Sequence, residues 1–399
     1  MLNASASHLL FLHIPKTAGT SLLTVFGNAF GEARVRRLSG SEVTGPALDH
    51  FLAAGAHREI GCLAGHFPLH PFASRRDEFT LFTLLRHPVD RVFSLFRFLR
   101  QLGEDELARL GLRRGFGFDD FLACQSAELF GQVRNGMCRL LSGEPRLTDH
   151  DDPLFWRSPL APCYAEAALA TLRRCRFGIA EEMADTAMLV RGTLGLPFVP
   201  TPTCENATDP AGAERNARNI QRVREMNRAD LILYERALPL FRERVAGASA
   251  AACAVPGLIA PARLPAEVDV PIEQIGCRDG FHAFEPGNGF SWMVAGAAAR
   301  MAVEPTLPVG RFRFRVWRVV PDYPMDALTL TVDGSAVPHR WQKLDEGWGV
   351  IESEPVRLGS LALLSLSAPP AVPVRSFEPE SQDRRDLAVA LATVAFAPP

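Results

Sequence analysis

The apolar residues near the start of the chain fall into short runs, each followed by a helical stripe. Residues 8–14, HLLFLHI, form the first run, of the length of a buried strand and too short for a helix. Pro15 stops it, since proline has no N–H to give a sheet ladder. A compact loop, KTAGTS, comes next, and from Ser21 onward Leu22, Leu23, Val25, Phe26 and Phe30 recur at helical spacing. The pattern returns at 79–85, FTLFTLL, which is aromatic, threonine-rich and apolar on both faces and predicts an interior strand. It ends in Arg86-His87-Pro88, and Pro88 suits the first turn of a helix striped by Val92, Phe93, Phe96, Leu99 and Leu102. Ile60 to Ala64 predicts another short strand. Gly65-His66 leaves that strand on a loop, because Pro68 and Pro71 keep the neighbouring residues from being helical.

Further along, helices are predicted over 118–124, 132–141, 164–174 and 181–194, with a short strand, RFGIA, at 176–180. A charged helical region spans 219–245, where Pro239 is expected to kink or end it. Strands alternating with helices imply a parallel sheet. The character changes at 246–270, which is rich in alanine, proline and glycine and reads as a linker. Beyond it the period becomes two, in RFRFRVWRV (311–319), LTLTVDGSAV (328–337) and WGVIESEPVRL (348–358), with Asp333-Gly334 as a hairpin signal. The expected organisation is an α/β domain over 1–245, a linker over 246–270 and a smaller β-sandwich over 271–399.

Composition narrows the classes. A chain of 399 residues with 47% hydrophobic and 22% charged content is an ordinary globular protein. A net charge of −2 argues against a dedicated nucleic-acid binder. No apolar run approaches the roughly 18 residues of a membrane span, and the start lacks the basic and apolar regions of a secretion signal. The eight cysteines include no C-x-x-C pair, so metal and redox motifs are unsupported and reduced thiols are expected. These features together predict a cytoplasmic protein; they leave the oligomeric state open.

The chemistry concentrates at strand-to-helix junctions. The 8–30 segment points backbone N–H groups and a helix N-terminus at one spot, where an anion would be held. Of 43 basic residues only Lys16 and Lys343 are lysines, so a lysine inside this loop points to a site that wants a compact point charge. The plain alternative is a lysine on a surface turn. At the second junction, Arg86 sits at the carboxyl end of a strand, and Arg91 and Ser94 share a helical face; together they suit a second phosphate, or else cover the sheet edge. His66 is either a general base or an ordinary exposed histidine. A Walker loop would place lysine late and beside a glycine; here it comes first, and no acid in the loop offers a magnesium ligand.

Two of these stretches resemble a family. HIPKTAGTSL looks like the 5′-phosphosulfate loop of sulfotransferases that use 3′-phosphoadenosine 5′-phosphosulfate (PAPS), and RHPVDRVFSLF looks like their 3′-phosphate motif. Their order, the intervening Gly65-His66, RFGIAEEM and the helices up to about 245 resemble the uronosyl 2-O-sulfotransferase branch. The resemblance implies a P-loop-like parallel sheet flanked by helices, PAPS as sulfate donor without a metal, and a carbohydrate acceptor. It implies that Lys16 contacts the phosphosulfate and that Thr17, Ala18, Gly19, Thr20 and Ser21 hold the 5′-phosphate through N–H and hydroxyl donors. Arg86 and Ser94 would bind the 3′-phosphate, Asn206 would approach the nucleotide, and His66 would be the base. The branch carries His-Gly-His around its base; His66 matches the second histidine, Ala64 stands at the first, and the family usually has aspartate where His87 stands. A small-molecule or protein acceptor, or a non-catalytic glycan-binding scaffold, is the alternative. The 271–399 region weakly resembles β-rich modules of bacterial glycan-processing enzymes; Trp292, Trp317, Trp341 and Trp348 are either its core or sugar-stacking residues.

Overall fold

A computed structural model describes residues 8–38, 46–55, 59–202, 214–250, 258–294, 298–320, 323–345, 348–368, 372–374, 380, 383 and 385–399. Among the described residues five strands make the first sheet: β1 (His8–Leu12), β2 (Val35–Leu38), β3 (Cys62–Gly65), β4 (Phe79–Leu85) and β5 (Arg176–Ile179). All pair in parallel, in the order β2-β3-β1-β4-β5. Eleven α-helices surround or succeed it among the described residues. They are α1 (Gly19–Phe30), α2 (Pro46–Ala53), α3 (Pro88–Leu99), α4 (Glu104–Arg109), α5 (Phe118–Ala123) and α6 (Ala127–Val133), then α7 (Gly136–Leu141), α8 (Pro162–Arg174), α9 (Met183–Leu194), α10 (Ala217–Met226) and α11 (Arg228–Ala250).

The unbroken apolar run of β1 reflects its central place. Leu9 and Phe11 enter one core with Leu22, Val25 and Phe26 of α1 and Val190 and Leu194 of α9. Leu10 and Leu12 enter the opposite core with residues of α2, α7, α8 and α11. A strand covered on both faces has no polar side to show. The stripe of α3 packs elsewhere: Val92, Phe93, Phe96 and Leu99 join α4, α5, α6 and Val223 of α10 in a satellite core.

Two predicted helices are divided. The expected 132–141 helix breaks at Asn135, which takes a left-handed conformation with φ 54°, and the expected 219–245 helix breaks at Asn227. The two asparagines, both fully buried, hold each other. Asn135 N donates to Asn227 Oδ1 at 2.8 Å, and Asn227 Nδ2 donates to Val133 O at 2.9 Å. Asn135 Oδ1 accepts from Ala229 N and Asp230 N at the start of α11. Pro239 does not end α11; it lies inside it. Asn227→Ala, which leaves Asn135 N and Val133 O buried without these partners, is expected to cost about 2–3 kcal/mol of stability in chemical denaturation.

The C-terminal region is β-rich, as expected. Among the described residues, two largely antiparallel sheets, of six and eight strands, share one core that includes Met301, Phe312, Phe314, Leu364 and Phe396. Trp292 is buried, and Trp341 is partly buried against that core. The segment read as a linker contains the end of α11 and the strand Ala262–Leu264, which pairs in parallel with Ala298–Pro305; residues 251–257 lie outside the described residues. Among the described residues no helix is long and apolar enough to cross a membrane, and Cys62, Cys138, Cys175 and Cys277 are buried free thiols whose pKa burial raises.

Candidate active site

The carboxyl ends of β3, β1 and β4, three adjacent strands, deliver His66, the 15–18 turn and Arg86 to one edge of the sheet. The chain leaves β1 toward β2 on one side and leaves β4 toward β5 on the other, so this edge is a topological switch point. Lys16 (φ 66°) and Ala18 (φ 65°) both occupy the left-handed region, where a side chain costs of order 1 kcal/mol. The strained turn bends tightly into α1, and no side chain caps the helix start. Its first N–H groups, at Gly19, Thr20 and Ser21, are therefore available donors. Thr20 is exposed and Ser21 partly so. Thr17 differs from expectation: it is fully buried and its Oγ1 donates to Ile14 O at 2.8 Å, so its hydroxyl braces the turn and only its N–H is left for a ligand.

Arg86 Nη1 donates to Lys16 O at 3.2 Å and so ties the two junctions together. Lys16 Nζ lies 4.0 Å from the centroid of the exposed Phe98 ring on α3. Burial, and after it the nearby guanidinium groups of Arg86 and Arg97, lowers the Lys16 pKa to about 8. Lys16, Arg86 and Arg97 thus stand near one another, a setting in which a bound anion would be stabilised.

Arg91 and Ser94 do not join Arg86 as a plain phosphate face. Arg91 is fully buried; its Nη2 donates to Gln132 O at 2.7 Å and stands 3.7 Å from Asp230 Oδ2, while Nε and Nη1 have no hydrogen-bond partner among the described residues. Ser94, one turn on, is nearly closed to solvent. Sequence spacing put both residues on one helical face correctly, but could not show that this face turns into the protein. Asn206 lies outside the described residues. His87 N donates to Glu181 Oε1, and its ring meets Tyr234 edge-on.

His66 lines a cavity of about 280 Å³ together with Pro15, Arg91, Glu128, Gln132, Arg139 and Thr148. His66 is exposed at the surface although protein packs closely around part of it, and that packing lowers its pKa. Its Nδ1 is 2.6 Å from His13 O. A carbonyl can only accept, so Nδ1 carries the proton and Nε2 keeps its lone pair. The residue that sequence reasoning passes over is His13: its ring centroid lies 4.2 Å from that of His66. The hydropathy pattern makes it part of the apolar run, and only the pairing of β1 with β3, which sets His13 N on Gly65 O at 2.9 Å, brings it there. His70, in the same irregular segment as His66, is not part of the cavity lining.

No protein-family model matches the sequence, and comparison with curated proteins gives no match. Among solved structures, a sulfotransferase from Alicyclobacillus acidocaldarius is similar to this chain at 18% identity and a TM-score of 0.31, over 57% of this chain and 96% of that one. A cycloisomaltooligosaccharide glucanotransferase from Paenibacillus sp., solved with cycloisomaltoheptaose, matches at 16% identity and a TM-score of 0.18, over 30% of this chain. The chain spans 16% of the length of that glucanotransferase.

Proposed function

We propose that this chain transfers the sulfuryl group of PAPS to a hydroxyl of a carbohydrate acceptor, leaving 3′,5′-ADP. The observation that carries the reading is the convergence of Lys16, the uncapped start of α1, Arg86 and the Nε2 of His66 at one sheet edge, beside a cavity. The residues fit the donor. Two left-handed residues and an uncapped helix start cradle one phosphate, and Arg86, fixed on the Lys16 carbonyl, stands where a second would lie. PAPS supplies an activated sulfuryl group on a phosphate that leaves readily.

Within that reading, Lys16 holds the bridging and sulfate oxygens and offsets negative charge as the S–O bond to phosphate breaks. His66 Nε2 takes the acceptor hydroxyl's proton as the new S–O bond forms. Sulfuryl transfer, like phosphoryl transfer, is an in-line displacement in which positioning and charge stabilisation dominate. The cavity beside His66 has Arg91 and Arg139 in its lining, and the hydrogen bonds of Arg139 among the described residues go to carbonyl groups, at Arg134, Leu147 and Arg157. Glu128 is in the same lining and Asp230 stands behind Arg91, so Arg139 is the group of this lining offered to an acceptor's acid group, such as that of a uronate-containing polysaccharide. Incubation with PAPS and a panel of neutral and uronate-containing polysaccharides, phenols and peptides, read by mass spectrometry, tests both levels. A gain of one sulfate mass on a sugar supports the reading; sulfation of phenols or peptides alone replaces the acceptor, and binding of 3′,5′-ADP without any transfer favours a binding scaffold.

The pH dependence rests on the two shifts. His66 must be neutral to act, and its pKa lies below the ordinary histidine value, so the acid limb falls below about pH 6.5. Lys16 must be protonated, and its pKa near 8 in the free protein predicts that kcat/KM for PAPS declines as pH rises through about 8. Bound phosphate raises the lysine pKa, so the corresponding limb of kcat lies higher. In Lys16→Arg, which stays charged, the limb near pH 8 should disappear; its persistence would assign it to another group.

A further inference from the structure

We propose that His13 is a positioning residue for His66: its imidazole is wedged between the His66 ring and the first residue of α1, and holds the ring in the orientation that presents Nε2 to the cavity. The proposal rests on the sulfuryl-transfer reading only for what Nε2 does there. Three contacts define the wedge. The His13 and His66 centroids are 4.2 Å apart with planes at 38°. The His13 ring also stacks on Phe11 of β1, at 5.4 Å and 14°. At its edge lies Gly19, where an added Cβ would fall 2.0 Å from His13 Cδ2 and 2.1 Å from Nε2. Glycine at the start of α1 is therefore required by the His13 ring, quite apart from any ligand. The base, the phosphate-loop helix and the sheet core thus meet in one buried imidazole, which is 8% exposed.

The wedge works only if it is uncharged. Burial, and after it the charges of His66, Lys16 and Arg37, holds the His13 pKa down to about 3, so it stays neutral throughout the working range. The titratable groups around His66 include His13 from the end of β1 and Lys16 from the turn, and the cavity it lines also has Arg91 of α3, Glu128 of α6, Arg139 of α7 and His150 in its lining. Lys16 opposes a second proton on His66, while Glu128, an acid of that lining, is paired with Arg109. Neutral His13 fills the side of the ring where water would otherwise enter, and a second proton on His66 would gain nothing there.

Histidine-labelled full-length protein, monitored by ¹⁵N shifts of the His66 ring against pH, tests this without an acceptor. The wild type should show the Nδ1–H tautomer and a midpoint below about 6.5. His13→Ala should give mixed tautomers and a midpoint that rises toward about 6.5, whereas His13→Phe, which keeps a neutral aromatic wedge, should match the wild type. Gly19→Ala should disturb the His66 signals when His13 is present and leave them unchanged in the His13→Ala background. With an acceptor, His13→Ala should lower kcat about tenfold while affinity for 3′,5′-ADP stays within about twofold. Unchanged His66 tautomer and midpoint in His13→Ala, or His13→Phe behaving like His13→Ala, would overturn the proposal. Should His13→Ala not fold, His13→Phe and Gly19→Ala carry the same test. Absence of transfer to every acceptor, with the His66 shifts as expected, would instead count against the sulfuryl-transfer reading.

Discussion

Lys16→Ala is expected to lower turnover by about 10²–10³, and to weaken 3′,5′-ADP binding as well, because the ammonium group acts on both ground and transition states. Its setting makes the effect large. The residue is held in a left-handed backbone conformation, its carbonyl is clamped by Arg86, and its amine is poised over Phe98 among cations. Nothing else in the turn carries charge, since residues 17–21 are Thr, Ala, Gly, Thr and Ser. Lys343, the other lysine, is on an exposed strand of the β-rich region, so Lys343→Ala is the matched control. His66→Ala should cost a comparable factor, about 10² or more, yet leave 3′,5′-ADP affinity near the wild-type value. The pair separates roles: stopped-flow turnover and calorimetry on both variants should show the lysine effect in both measurements and the histidine effect in one. Equal losses of nucleotide affinity in both variants would remove His66 as the base.

How much of this picture is legible in the sequence varies with the physical scale of each signal. The run FTLFTLL marks β4 to the residue because burial on both faces leaves a local trace. The Lys16 turn is legible too, since small residues between a strand and a helical stripe have few other uses. Asn135 and Asn227 are not: each breaks a helix by a bond to the other, 92 residues away in sequence, and neither local pattern shows that partner. The same holds for His13, whose proximity to His66 is a consequence of parallel register between β1 and β3, the two histidines being 53 positions apart in sequence. For Thr17 and Arg91 the residue type reads correctly as polar and motif-like, but its direction depends on packing: one hydroxyl turns back to Ile14, and one guanidinium turns inward toward Asp230.

Truncation after residue 250 is the second change expected to have a very large effect: it should abolish a folded N-terminal half rather than trim an appendage. The composition shift at 246–270 marks where helices give way to strands, but the cores do not divide there. Leu258, Cys277 and Ala302 belong to the same apolar cluster as Leu22, Val25, Phe26, Ala29 and Phe30 of α1. Backbone and side chains cross as well. Cys277 N donates to Ala29 O at 2.7 Å, Asn28 Nδ2 to Phe281 O at 2.8 Å, and Thr201 N to Asp279 Oδ1 at 2.6 Å. Arg300 Nη2 reaches Val199 O at 2.9 Å. Exposing even a few such side chains at about 1.5–3 kcal/mol each removes much of a domain's usual roughly 5–15 kcal/mol, and the polar groups left behind add about 1–3 kcal/mol apiece. The cut uncovers α1, the helix whose first turn forms the anion loop, so any fragment that survives should also lose affinity for 3′,5′-ADP. Expression of residues 1–250, with thermal melting and calorimetry against 3′,5′-ADP, measures both. A soluble fragment that melts cooperatively near the temperature of the full chain and binds the nucleotide equally well would show the β-rich region to be energetically independent.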